Sequence, residues 1–386
     1  MYILTLKKGE EKRLLAGHPW VFANEVAKIE GKDKQGSIAK VLSHDGRFIG
    51  LGYINHKSKI IVRLLTDREE ETGRQFFYDR IKRANDEKLA LGFTDNYRAV
   101  FAESDLLPAL IVDRYGDYLS VQFLSLGMEV RKQLITDILV EIFAPKGIYE
   151  RSDASVREAE GLEKVKGVLY GEVPDRVIIT ENGVKLYVDI KNGQKTGYFL
   201  DQKENRAAAA RYARGKNVLD CFCNAGGFSL CAAAAGAKSV IAADISRAAT
   251  ELVEANAELN GFDNIRTVTA DVFDLLRKYK AEKRRFDVIV LDPPAFTKSR
   301  DTVMQGYRGY RDINALAFKL LERGGFLITC SCSQHLSVKQ FTDMIKESAG
   351  SYPVKIVELR IQSRDHATLA AMEESLYLKV AVLEKL

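Results

Sequence analysis

Acidic, proline and cysteine residues recur in the second half of this chain at one kind of position, the end of a short apolar run. The runs close on Asp220, on Asp244, on Asp271, on Asp292-Pro293-Pro294, and on Cys330-Ser331-Cys332-Ser333. A single Asp there is commonly just a helix cap. Five polar run-ends in register are hard to explain by capping alone. In a sheet of parallel strands ligands sit beyond the carboxyl ends of the strands, so these residues would share one rim. The first run opens the stretch NVLDCFCNAGGFSLCAAAAG, in which a strand leads into Asn224-Ala225-Gly226-Gly227 and then a helix of small residues from Phe228 to Ala235. Strand, glycine loop and helix N-terminus together make a place for the polar end of a nucleotide-like cofactor. Asn224, Gly226 and Phe228 are the loop candidates for that contact.

Asp244 follows Asp220 by 24 residues, close to the spacing at which an acid takes a ribose hydroxyl pair. A nicotinamide cofactor and S-adenosylmethionine both fit that spacing. NAGGF departs from the G-x-G-x-x-G fingerprint of a pyrophosphate cradle. S-adenosylmethionine has no pyrophosphate; it needs an acid for the ribose, an Asp for the adenine amino group and room for a sulfonium. Asp244, Asp271 and the glycine loop that follows Asp220 meet those needs, and with Asp292-Pro293-Pro294 included the expected cofactor is S-adenosylmethionine. Upstream, in NGQKTGYFLDQKENR, Asp201 and Glu204 have capping-box spacing, which predicts a helix starting at Asp201. Arg206 in its second turn is a candidate for an anionic ligand; spacing alone leaves it equally well a surface arginine.

The elements that must position this rim alternate regularly from residue 217 onward. Strands are predicted at 217–221, 239–243, 265–269, 286–291 and 325–330, then 354–360 and 376–383, the last two as a hairpin-like pair at one sheet edge. The pattern is that of a doubly wound α/β sheet. Residues 1–68 read instead as short β-rich runs of a small barrel, residues 69–93 as a charged helical connector, and residues 97–190 as mixed strands and helix. Three domains are expected: 1–68, an α+β linker or substrate-cleft domain at 69–190, and the cofactor domain at 191–386.

Composition narrows the class. The chain carries 58 Lys and Arg against 53 Asp and Glu, but residues 1–68 hold 13 basic and 7 acidic residues, a net of +6. Lys12 and Arg13, near Lys7, Lys8, His18, Trp20 and Phe22, combine charge with rings as RNA contact requires; Trp20 also suits the barrel core. Five cysteines, an odd number without CxxC spacing, argue against a disulfide framework and against structural zinc. No apolar run approaches the ~20 residues of a membrane span, and MYILTLKKGEEKRLL lacks the layout of a secretory signal. A cytoplasmic protein is expected, with no metal and no membrane partner.

VLDCFCNAGGFSL, LDPPAF and ITCSCS together resemble the class I S-adenosylmethionine-dependent RNA methyltransferases. GEEKRLLAGHPWVFANEV, GYINHKSKIIVRLLT and KTGYFLDQKENR extend the likeness over essentially the whole chain, to the bacterial 23S rRNA cytosine-5 methyltransferases with an N-terminal PUA domain. The resemblance implies a PUA-like RNA-binding module at 1–68, a Rossmann-like methyltransferase sheet, and 23S rRNA as substrate, whether naked or in an early assembly intermediate; a homodimer stays open. It also implies that Cys332 is the nucleophile. Carbon 5 of cytosine is a poor nucleophile until a thiolate adds to carbon 6. Asp292 would hold the N3/amino edge of the base, Pro293 and Pro294 would stiffen the loop, and Phe296 would either stack on the base or pack internally. Pro294 stands where many cytosine-5 RNA methyltransferases carry a second cysteine, so a different base must remove the carbon 5 proton. Two other readings remain: an RNA base N-methyltransferase using the Asp-Pro-Pro loop, and a non-catalytic RNA-binding assembly factor.

Overall fold

A computed structural model of the chain describes residues 1–297 and 300–386. These form two compact units that interleave in sequence. One contains residues 1–177, 188–200 and 364–375, the other residues 178–187, 201–363 and 376–386.

The first unit carries two sheets. Strands β1 (Tyr2–Leu6), β2 (Trp20–Phe22), β3 (Val26–Glu30), β4 (Ile38–Leu42), β5 (Phe48–Ile54) and β6 (Ile60–Thr66) lie in the order β2-β6-β5-β4-β1-β3. Alternation along β1 and β4 turns Leu4, Leu6, Ala39 and Val41 into one core with Val21 and Ile54. The first strand, Tyr2–Leu6, lies outside the β-rich runs that the sequence predicts. Strands β7 (Asn96–Phe101), β8 (Leu110–Tyr115), β9 (Tyr118–Phe123), β10 (Gly147–Ser152) and β11 (Val165–Gly171) make the second sheet, in the order β11-β10-β9-β8-β7. Helix α1 (Glu11–Leu15) belongs to the first sheet's region. Helices α2 (Arg74–Ala90), α3 (Leu126–Glu129), α4 (Lys132–Phe143) and α5 (Val156–Ala159) accompany the second. Phe77, Ile81 and Ala84 recur on one face of α2 and enter that sheet's core.

A buried polar cluster ties the two sheets together. Arg63 donates to Glu103 at 3.2 Å and to Glu160 at 2.9 Å, and Asn55 and Ser58 donate to Glu160 at 2.9 and 2.6 Å. The Trp20 indole N–H joins it, donating to Glu103 at 2.8 Å.

The second unit is built on a seven-stranded sheet of β14 (Asn217–Cys221), β15 (Ser239–Asp244), β16 (Ile265–Thr269), β17 (Phe286–Leu291), β18 (Leu321–Ser331), β19 (Val354–Arg360) and β20 (Lys379–Lys385). Their order is β16-β15-β14-β17-β18-β20-β19. The first five run parallel and β20 enters antiparallel to both β18 and β19. The doubly wound sheet and its edge pair are as expected. Helices α6 (Lys203–Ala210), α7 (Gly227–Ala234), α8 (Arg247–Leu259), α9 (Val272–Ala281), α10 (Val303–Leu320) and α11 (Val338–Ala349) complete the unit. A small sheet of β12 (Val177–Glu181) and β13 (Val184–Val188) docks on α8, where Asn256 and Asn260 each accept a main-chain N–H of β13 at 2.8 Å.

One expectation fails here. The helix after the KTGYF loop starts at Lys203, preceded by a 3-10 turn at Leu200–Gln202, and has no side-chain cap. Asp201 turns away to accept from the Tyr377 hydroxyl at 2.6 Å. A long-range bond displaces the local capping box.

Candidate active site

Strand β14 is the switch point of the sheet, since β15 lies on one side of it and β17 on the other. Asp220 stands opposite Ala242 and Val290 in register, so the ends of β14, β15 and β17 bring Asp220, Asp244 and Asp292 to one rim. The loop after β14 is wound tightly. Phe222, Asn224 and Gly226 all hold left-handed φ angles, of 63°, 48° and 81°, a conformation that non-glycine residues rarely adopt.

Asp220 is 1% exposed. Its Oδ2 accepts from the N–H and hydroxyl of Ser229, at 3.0 and 2.6 Å. Its Oδ1 is buried without a partner. Burial pushes this carboxyl up to about 7, against the pull of the Ser229 bonds and with help from the charges of Asp292 and Asp244. Asp244 accepts from the main chain at Asn224 (3.1 Å) and Ser246 (2.9 Å), so one carboxylate pins the glycine loop and the turn into α8. Ile245, directly after it, is 69% exposed. An exposed apolar side chain directly after a rim acid is a surface a flat ring could cover, and the sequence IAADIS carries that signal. Asp271 is exposed and caps α9, accepting from Asp274 N–H at 3.1 Å.

Strands β17 and β18 carry the second half of the site. Asp292 accepts from the Gln202 amide at 2.9 Å, a partner that sequence reading did not single out. Asn205 in turn donates to Gln202 at 2.8 Å. Cys332 lies just past β18, half-buried, whereas Cys221, Cys223, Cys231 and Cys330 are buried. Its thiol faces the Asp-Pro-Pro loop, 3.8 Å from the Pro293 carbonyl oxygen. Cys330 is fully enclosed, and burial holds its thiol far above the ordinary range. Pro293 is buried and Pro294 exposed. Tyr310 donates to or accepts from Ser333 at 2.9 Å, and burial pushes its phenol up to about 12.

Several predicted residues lie elsewhere. The Phe228 side chain enters the core with Val218, Val240 and Val290. Phe296 packs against Tyr310 and Phe273, at ring separations of 4.6 and 6.1 Å, which favours the internal alternative. Arg206 is not the surface side chain that spacing alone allowed. It is buried and forks onto both oxygens of Glu181, at 2.7 and 3.1 Å. In the first unit, Arg13 donates to the Trp20 carbonyl at 3.0 Å and to Glu25 at 2.7 Å, and its guanidinium lies 5.0 Å from the Phe22 ring centre. Arg13 therefore holds this module together, while Lys12 is exposed. Among the described residues no group of three or more His, Cys, Asp or Glu is placed to hold a metal ion, and no helix is long and apolar enough to cross a membrane.

Comparison with known proteins fits this arrangement. Residues 4–67 match the PUA-like domain and residues 162–363 the S-adenosylmethionine-dependent methyltransferases. The chain is 44% identical to a ribosomal RNA large subunit methyltransferase I of Aeromonas hydrophila, over 98% of each chain. It is 41% identical to one of Vibrio vulnificus, over 97% of each. In fold it is similar to a solved S-adenosylmethionine-dependent methyltransferase from Streptococcus mutans, with a TM-score of 0.85, 24% identity and full coverage of both chains. A second solved methyltransferase, complexed with SAH, gives a TM-score of 0.86 at 24% identity over the full length of both. An acid-rimmed switch point, a left-handed glycine loop and near-full-length likeness converge: the chain belongs to the S-adenosylmethionine-dependent methyltransferases, within the ribosomal RNA large subunit methyltransferase I family.

Proposed function

We propose that this enzyme methylates carbon 5 of a cytosine in 23S rRNA through a covalent adduct on Cys332, acting in the cytoplasm. The carrying observation is the position of Cys332: alone among the five cysteines it is not buried, and it faces the Asp292-Pro293-Pro294 loop at 3.8 Å. The relatives' names support ribosomal RNA as substrate, and the match of residues 4–67 to a PUA-like domain supports an RNA-binding role for that module, with exposed Lys12 on it.

The donor set suits the cofactor. The orphaned Asp220 Oδ1 is a buried acceptor in need of a donor, and the cofactor's α-ammonium is one. Three carboxylates on one rim favour a ligand with positive charge over one with a pyrophosphate. Asp244 would take the ribose hydroxyls, Ile245 would lie against the adenine, and Asp271 would meet the adenine amino group with the oxygen not used in capping. Asn224 and Gly226 shape the loop around the polar end.

In the reaction, the Cys332 thiolate adds to carbon 6 of the cytosine and the carbon 5–carbon 6 π electrons move to carbon 5. Asp292, oriented by Gln202, holds the N3/amino edge and steadies charge on the ring. S-adenosylmethionine, when bound, supplies the electrophilic methyl that carbon 5 takes, and leaves as S-adenosylhomocysteine. A base then removes the carbon 5 proton, the electron pair re-forms the ring double bond, and the Cys332 sulfur departs as thiolate. RNA carrying 5-fluorocytosine has no proton to lose there and should trap the adduct as a covalent complex on the Cys332 peptide. Cys332→Ala should abolish methyl transfer and trapping while S-adenosylmethionine still binds. A Cys332→Ala enzyme that still methylates RNA would instead favour transfer to an exocyclic amine held by the Asp-Pro-Pro loop.

A further inference from the structure

Asn256 is fully enclosed near the end of α8, and its side-chain amide is divided between two segments. Oδ1 accepts the main-chain N–H of Tyr187 in β13 at 2.8 Å. Nδ2 donates to the Ala225 carbonyl, in the loop after β14, at 2.9 Å. Asparagine is a poor helix former, and an enclosed amide loses its hydration, so an apolar residue would fill this position at lower cost unless both bonds matter. Asn260, one turn on, is a useful contrast. Its Oδ1 accepts the Lys185 N–H at 2.8 Å and its Nδ2 donates to the Lys185 carbonyl at 2.7 Å. Oxygen and nitrogen both engage one residue of β13, as a neighbouring strand would. A second Nδ2 contact, to the Asn256 carbonyl at 2.7 Å, stays within the end of the helix. Asn260 therefore docks the hairpin, whereas Asn256 gives the hairpin its oxygen and the loop its N–H.

Helix α8 seats the loop at a second point. Val253, three residues before Asn256 and so on the same helix face, lies against Gly226: a Cβ on that glycine would come within 3.0 Å of a Val253 methyl. From the sheet, the loop is held at Cys223, whose N–H donates to the Ala243 carbonyl at 3.1 Å, and at Asn224, whose N–H donates to Asp244 at 3.1 Å. Anchors thus fall on each of residues 223–226, the stretch in which Asn224 and Gly226 hold left-handed φ angles. Backbone in that conformation persists where its surroundings over-determine it. The anchor on Ala225 differs from those supplied by the sheet, because the amide that makes it is itself oriented by the hairpin. The hairpin in turn is fixed from α6, through the fork of Arg206 on Glu181 of β12.

We propose that Asn256 is a positioning residue for the cofactor loop, and that through it the β12–β13 hairpin braces that loop. The Tyr187 N–H fixes the plane of the amide, and Nδ2 is thereby aimed at the Ala225 carbonyl. The coupling is reciprocal by linkage: a ligand that orders the loop also firms the Tyr187 bond. This rests on the reading of residues 224–226 as the loop that closes on S-adenosylmethionine.

The experiment compares Asn256→Asp with Asn260→Asp in the full chain at pH 8. Each keeps an acceptor for β13 and loses its N–H donors. Asn256→Asp should bind S-adenosylhomocysteine about tenfold more weakly by calorimetry, the effect of leaving one buried carbonyl without its donor. KM for S-adenosylmethionine should rise by a like factor, with kcat and KM for RNA unchanged. Asn260→Asp should lower the melting temperature and keep native cofactor affinity. Native affinity in a folded Asn256→Asp, or an equal loss in both variants, overturns the proposal. Should Asn256→Asp fail to fold, hydrogen exchange on the native chain decides. Adding S-adenosylhomocysteine should slow exchange of the Tyr187 amide and leave the Lys185 amide unchanged; an unchanged Tyr187 amide overturns the brace. Asp244→Ala tests the underlying reading separately. If that variant binds the cofactor as the native chain does, the rim and its loop are not the cofactor site; if it loses affinity while Asn256→Asp does not, the brace alone fails.

Discussion

Replacing Asp220 with Asn should make the ligand-free enzyme more stable at alkaline pH and a poorer binder of its cofactor. In the folded chain this carboxyl titrates at about 7, against an ordinary value of 3.8. The folded state thus keeps a proton that the unfolded state has already released between pH 4 and 7. Stability must fall as pH rises through that window and level off above about 8. The gap is about three pH units at ~1.4 kcal/mol each, a ceiling of roughly 4 kcal/mol. Asparagine has no charge to desolvate, and its carbonyl can still accept from Ser229. Its amide N–H₂ would replace the orphaned oxygen as a buried unpaired group, at a cost of ~1–3 kcal/mol. The expected result is a variant about 2 kcal/mol more stable than the native chain at pH 8 and no more stable at pH 5, read from urea melts without ligand. Cofactor affinity should fall ~10–100-fold with loss of a charge-assisted bond. Native affinity, measured by calorimetry, should climb from pH 6 to 8, because binding a cation beside Asp220 expels its proton, and the variant should lack that climb. Parallel stability curves for the two proteins, or equal affinity, would refute the assignment of Asp220 as a strained ligand acceptor.

Arg206→Ala removes the guanidinium that forks onto the buried Glu181 carboxylate and should lower stability by ~3–5 kcal/mol, seen as a depressed melting transition of the full chain. Lys12→Ala should leave stability unchanged and reduce the slope of log affinity for RNA against log salt by ~0.7–0.9, the signature of one lost phosphate contact. Arg13→Ala should lower the melting temperature instead, because it removes the ion-pair partner of Glu25 and uncovers the Phe22 ring. Ile245→Ala should weaken S-adenosylmethionine binding about tenfold through ~1–2 kcal/mol of lost apolar contact, with the fold intact by circular dichroism.

The central parallel strands β14 and β17 were legible because each is largely buried and reads as an apolar run that ends at an acid-bearing loop. β14, β16, β17 and β19 fall on their predicted residues. β18 begins earlier, at Leu321, and β20 later, at Lys379. What was not legible depends on partners far away in sequence. Asp201 has every local mark of a cap, and its bond to Tyr377 is invisible from its neighbours. Arg206 pairs with Glu181, and Arg13 with Glu25, through side-chain geometry that no spacing encodes. Lys379 sits in a strand motif, LYLKVAVLEKL, where a lysine would be assigned to solvent; only its burial sets it apart. The orphaned oxygen of Asp220 is likewise a property of three-dimensional surroundings.

The strand order at the sheet edge bears on how the protein is made. β20 lies between β18 and β19, yet both are synthesised before it. Until β20 emerges, β18 presents an open edge and β19 has no neighbour, and β19 carries Ile356, Val357 and Leu359, which are about half exposed even in the finished sheet. An unpaired apolar edge in a nascent chain is a site for pairing with other chains. Lys355, Glu358 and Arg360 interrupt the run in β19 and act as gatekeepers during that interval. The strand that ends the interval is the one that pairs β18 as far as Ser331, one residue before Cys332. Completion of the sheet and enclosure of the strand that leads to Cys332 are thus expected to be a single late event in folding, one that waits for the last residues of the chain.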